Sequence, residues 1–103
     1  MDLAQFKATL NESDPPPEIA PEIAPLLHAL WLTAKGDWHG AHALAQGVAG
    51  PDGCWVHAYL HRVEGDLANA GYWYVRAAKP ASSCSLDEEW NEIATAILEQ
   101  SDA

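Results

Sequence analysis

The stretch from His28 to Pro51, HALWLTAKGDWHGAHALAQGVAGP, has a counterpart 29 residues further on, His57 to Pro80, HAYLHRVEGDLANAGYWYVRAAKP. Seven of the 24 aligned positions are identical: His28/His57, Ala29/Ala58, Gly36/Gly65, Asp37/Asp66, Ala41/Ala70, Ala49/Ala78 and Pro51/Pro80. Composition alone predicts about two. The shared residues are those that helix geometry demands. Glycine ends a helix in the left-handed region, aspartate caps the next helix at once, and a small alanine lets two helices approach closely.

Outward from this unit the pattern stays helical. Ile23, Leu26, Leu27, Leu30, Trp31 and Ala34 form one apolar stripe, with Pro21 and Pro25 near its first turn. Trp38, Ala41, Leu44, Ala45 and Val48 form the next, which stops in the turn signal Gly50-Pro51-Asp52-Gly53. A further helix runs from about Gly53 to Glu64, and another from Asp66 to about Lys79. Ser85 with Glu88 makes a capping box for the last, where Leu86, Trp90, Ile93, Ala94, Ile97 and Leu98 share a face. No segment alternates with period two. The reading is all-α: a right-handed solenoid of two helical hairpins closed by a C-terminal capping helix.

Residues 1–20 read differently from residues 21–103. Asp2 to Leu10 suits a short amphipathic helix capped by Asp2 and Gln5, with Leu3, Phe6 and Leu10 on one face. Pro15-Pro16-Pro17 and the doubled Pro-Glu-Ile-Ala at 17–20 and 21–24 then enforce an extended path. The expectation is a short helix and stiff connector (1–20) before a helical-repeat domain (21–103), with 1–16 dispensable for folding.

The chain has 103 residues, 49% of them apolar, room for one domain with one modest core. Fifteen acidic against five basic side chains give a formal charge of −10, which argues against nucleic acid and anionic membrane partners. No apolar run approaches the roughly 20 residues needed to span a bilayer, and no export signal is apparent. Two cysteines in that setting read as cytoplasmic free thiols.

The segment DLANAGYWYVRAA (66–78), with the Gly-Asp turns before it, resembles tetratricopeptide repeats, and more closely their Sel1-like branch. The longer stretch WVHAYLHRVEGDLANAGYWYVRAA (55–78) is similar to a set of small bacterial proteins. The resemblance covers about residues 23–80 and departs in period, 29 residues being short for either family. It implies a hairpin stack that engages a protein or peptide partner, with catalysis unusual. On that geometry Trp55, Tyr59 and Arg62 line a concave groove, with Asn69 and Trp73 from the following helix completing a ligand-binding face. Trp and Tyr beside Arg are what an interface hot spot uses. Exposed aromatics of this kind also suit a homodimer.

The histidines support a reading of another class. His57 and His61 stand at i, i+4 with Glu64 continuing the face, and hairpin geometry brings His61 toward His39 or His42. His42, His57, His61 and Glu64 thus form a candidate site for zinc or another divalent transition metal, as a metal- or small-molecule-binding helical protein or an enzyme. The alternative for His57 and His61 is neutral, hydrogen-bonded core packing. No nucleotide loop, nucleophile elbow or paired-carboxylate motif is present.

Overall fold

The computed structural model describes residues 1–17 and 19–101. Glu18, inside the first Pro-Glu-Ile-Ala copy, and residues 102–103, at the end of the expected repeat domain, lie outside the described residues. Among the described residues there are six α-helices and no strand: α1 Leu3–Ala8, α2 Ala24–Ala34, α3 Trp38–Gln46, α4 Pro51–Glu64, α5 Leu67–Arg76 and α6 Leu86–Ser101, with a 3-10 turn at Thr9–Asn11. None of these helices is long and apolar enough to cross a membrane.

The two Gly-Asp turns are built alike. Gly36 and Gly65 take φ of +90° and +87°, a region that side-chain-bearing residues rarely enter. The next amide returns to the preceding helix, Asp37 N–H donating to the Leu32 carbonyl at 2.8 Å and Asp66 N–H to the His61 carbonyl at 2.9 Å. Each aspartate then caps the following helix, Asp37 accepting from Gly40 N–H and Asp66 from Asn69 N–H. The chain reverses at each turn, so α2 packs on α3 and α4 on α5, and α3 joins the two hairpins by packing on α4. Trp38 strengthens that join by donating its indole N–H to the Leu60 carbonyl at 2.7 Å.

α4 begins earlier than the turn signal suggests. Pro51 occupies the first helical turn, where its missing N–H is no loss, and Gly50 at φ +100° makes the corner. Gly53 lies inside the helix. A Cβ there would stand 2.1 Å from the Val48 carbonyl oxygen, so glycine permits the close approach of the preceding loop.

Both α2 and α4 lie against α6, which packs on α1 as well. Trp90 of α6 donates to the Leu30 carbonyl of α2 at 2.9 Å, and both Trp90 and Trp31 are buried. Ser85 caps α6 as its spacing to Glu88 implies, accepting the Glu88 N–H at 3.1 Å.

The N-terminal segment belongs to the same core. Asp2 and Gln5 form the expected capping box, and α1 then delivers Phe6, fully buried, in a parallel stack on Trp90 with 5.6 Å between ring centres. The Trp31 indole donates to the Thr9 carbonyl, and Lys35 Nζ donates to the Leu10 and Glu12 carbonyls. The expected division at residue 20 is therefore a change in backbone character, not a boundary of the core. Phe6 has enough apolar area to matter, about 2–3 kcal/mol when fully buried.

Candidate functional site

Three imidazoles from two hairpins converge. α3 supplies His42, one turn after Trp38, and α4 supplies His57 and His61 at i, i+4. Their nearest ring nitrogens all lie within 4.8 Å of one another. The closest pair is His42 Nε2 and His57 Nε2, 2.9 Å apart, where one Nε2–H donates to the other nitrogen. His57 and His61 are buried and His42 is half-buried.

Tryptophans hold the rings in place. His57 stacks on Trp73 of α5, with 3.8 Å between ring centres and a 14° interplanar angle. His42 stacks on Trp38 at 4.8 Å and 13°. His57 and His61 stack on each other at 4.9 Å. Flat packing of this kind fixes ring orientation, which isolated surface histidines lack.

Electrostatics favour neutral, lone-pair-bearing imidazoles at the centre. Burial, then the neighbouring His42 and His61, lowers the His57 pKa to about 4. His42 is lowered too, by burial and then by His61, with Glu64 opposing. His61 donates its Nδ1–H to Glu64 Oε2 at 2.6 Å, so in the neutral ring Nε2 is the free ligand atom. A carboxylate behind a histidine in this way is the usual support for a metal-ligating ring. A tetrahedral zinc ion with Zn–N bonds of about 2.0–2.1 Å needs its nitrogens about 3.3 Å apart. The closest pair, at 2.9 Å, stands a few tenths of an ångström inside that spacing. His39 is exposed and stands edge-on to Trp38. Asp66, also within 4.8 Å of His61 and Glu64, is engaged as the cap of α5.

The aromatic face expected to line a groove is covered by α6. Trp55 and Tyr59 are buried, 7% and 4% exposed. Tyr59 lies in the wall of a cavity of about 480 Å³ with Lys7, Leu10, Asp87 and Trp90, and burial followed by Glu89 pushes its hydroxyl up to about 12. Arg62 donates to Glu89 Oε1 at 2.9 Å and to the Cys84 carbonyl. Its pKa is raised; burial alone would lower it, and the Glu89 carboxylate more than compensates. Trp73 faces His57, and Asn69 is half-buried on the same side of α5, its amide N–H bonded to Asp66.

Glu89 stands in the first turn of α6, where an acid matches the helix dipole, but its side chain turns inward. It is 1% exposed. Its two oxygens accept from Arg62, from the Tyr74 hydroxyl at 2.6 and 2.7 Å, and from the Trp55 indole at 3.3 Å. Burial and that carboxylate together raise the Tyr74 pKa. The signal was present: Glu89 precedes Ile93 by four residues and Ile97 by eight, on the buried stripe of α6. The network ties α4, α5 and α6 and is a structural lock, every member being satisfied. Arg76 lies over the Tyr72 and Trp73 rings and Lys79 over Trp55. Cys54 and Cys84 are free thiols.

No protein-family model, curated protein or solved structure matches the chain.

Proposed function

We propose that this chain is a helical protein that binds a divalent transition metal, zinc foremost, through His42, His57 and His61. The observation that carries the reading is the convergence of three ring nitrogens within 4.8 Å, with Glu64 holding the His61 Nδ1–H. Imidazole nitrogen suits zinc, copper, nickel and iron, and three histidines leave the fourth position to water or an exogenous ligand. Metal would replace the proton shared by His42 and His57 and would cross-link the two hairpins, so binding would stabilise the fold. The like-built Gly-Asp turns support a two-repeat, tetratricopeptide-like arrangement, Sel1-like in α5. Two free thiols fit a cytoplasmic setting.

The test is titration of chelator-treated protein, purified without a polyhistidine tag, with Zn²⁺ by calorimetry and with Co²⁺ by visible absorption. One ion per chain is expected, with the intense d–d bands of tetrahedral cobalt. Alanine at His42, His57 or His61 should abolish the stoichiometric site, and Glu64→Gln should weaken it about 10–100-fold. Absence of binding at one ion per chain, or binding untouched by these substitutions, overturns the reading.

A further inference from the structure

Residues of α1, α2, α4 and α6 line the cavity of about 480 Å³ that Tyr59 walls, within the size range of small-ligand pockets, about 300–1,000 Å³. Tyr59 reaches it from the side of α4 turned away from His57 and His61, each two residues distant. Tyr59 is only 4% exposed, yet among the described residues its hydroxyl has no hydrogen-bond partner. The other buried tyrosine differs, the Tyr74 hydroxyl donating to Glu89. Among those residues no sealed side-chain nitrogen or oxygen lacks a partner, so the Tyr59 hydroxyl is open to the cavity. A phenol oxygen on a largely apolar wall is unfavourable until something bonds it. Packing needs only the ring; the hydroxyl serves the occupant of the cavity.

Two opposite charges face the same space. Lys7 of α1 and Asp87 of α6 both line it, and among the described residues neither has an ion pair or a side-chain hydrogen bond. The chain has five Lys and Arg in all. Lys35, Arg62, Arg76 and Lys79 each engage a carbonyl, a carboxylate or a ring, which leaves Lys7 as the one cation without a counterpart among the described residues. Asp87 is near enough to the Tyr59 phenol to act on it electrostatically. Leu10, Val63 and Trp90 give the cavity its apolar wall. A simple amine there would be repelled by Lys7 and a simple acid by Asp87, and an uncharged molecule would leave both without a counterpart. A molecule carrying both charges beside an apolar group meets every condition. We infer that this cavity binds a free α-amino acid with an apolar side chain, its ammonium donating to Asp87 and to the Tyr59 oxygen, its carboxylate accepting from Lys7, and its side chain lying against Leu10, Val63 and Trp90.

None of the three clustered imidazoles lines this cavity, so the full chain in chelator tests it independently of metal binding. Calorimetric titration with L-phenylalanine and L-leucine should show one saturable site per chain, with a dissociation constant below about 1 mM. Phenethylamine and hydrocinnamate, each lacking one of the two charges, should bind about tenfold more weakly than phenylalanine or worse. Tyr59→Phe should weaken phenylalanine binding about tenfold and leave the unliganded chain at least as stable, since the hydroxyl it removes has no partner. Lys7→Met and Asp87→Asn alter exposed, unpaired side chains and should keep the helical circular dichroism. Lys7→Met should erase the preference for phenylalanine over phenethylamine, and Asp87→Asn the preference over hydrocinnamate. The absence of a saturable site, a singly charged analogue binding as tightly as the amino acid, or selectivity untouched by the Lys7 and Asp87 substitutions overturns the inference. Those two variants carry the test whatever Tyr59→Phe does to folding.

Discussion

His42 Nε2 stands 2.9 Å from His57 Nε2, so a single imidazole proton joins the first helical hairpin to the second. His42 stacks on Trp38 of its own helix, and His57 stacks on Trp73 of α5.

That pairing sets a pH dependence. His57 is held at about 4 in the folded chain, against about 6.5 when unfolded. Between those values the unfolded chain binds the additional proton, so this source of stability is intact above about pH 6.5 and is lost as pH falls toward 4. His42, lowered as well, acts in the same direction. Melting temperature in chelator should fall from pH 7 to 4.5, and His57→Gln should flatten that slope whatever it does to stability at pH 7. Equal slopes for the two proteins would contradict the buried, neutral assignment.

Glu89 is the most consequential single charge. Replacing it with Ala strands the Arg62 guanidinium and leaves the Tyr74 hydroxyl and Trp55 indole without their acceptor. Breaking a buried pair costs about 3–5 kcal/mol, and the partial exposure of Arg62, 16%, favours the lower end. Glu89→Gln should cost less, because a neutral amide still accepts from Tyr74. Urea unfolding of the three proteins checks the order.

Phe6 tests whether the N-terminal segment is part of the domain. Phe6→Ala removes a fully buried ring stacked on Trp90 and should cost about 3–5 kcal/mol. Deletion of residues 1–16 also removes the Thr9, Leu10 and Glu12 carbonyls that serve Trp31 and Lys35. It should cost at least as much, and a truncated chain that melts like the full one would contradict the packing described here.

Two glycines should respond for different reasons. Gly65→Val forces a β-branched residue to φ +87° and should cost about 1–3 kcal/mol. Gly53→Ala has ordinary backbone angles but drives a methyl into the Val48 carbonyl. It should destabilise by about 1–3 kcal/mol although alanine is the better helix former. Thermal unfolding of each variant decides the sign.

The helices, their caps and their order were legible in the sequence, because those features are local. Asp37 and Asp66 cap residues three positions away, Gly36 and Gly65 set their own φ, and Ser85 and Glu88 meet within one turn. The His57/His61 spacing was legible for the same reason, one helical turn being fixed geometry. What α6 and α1 cover was not local and was not legible. Whether Trp55, Tyr59 and Arg62 line an open groove or a core depends on where α6 comes to rest, as the pairing of Arg62 with Glu89, 27 residues further on, shows. A polar residue on an apolar stripe reads as a fault in the pattern until its partner, folded in from another helix, makes its burial favourable. The same holds for His42: sequence gives it a face on α3, and only the packing of α3 on α4 brings it to His57.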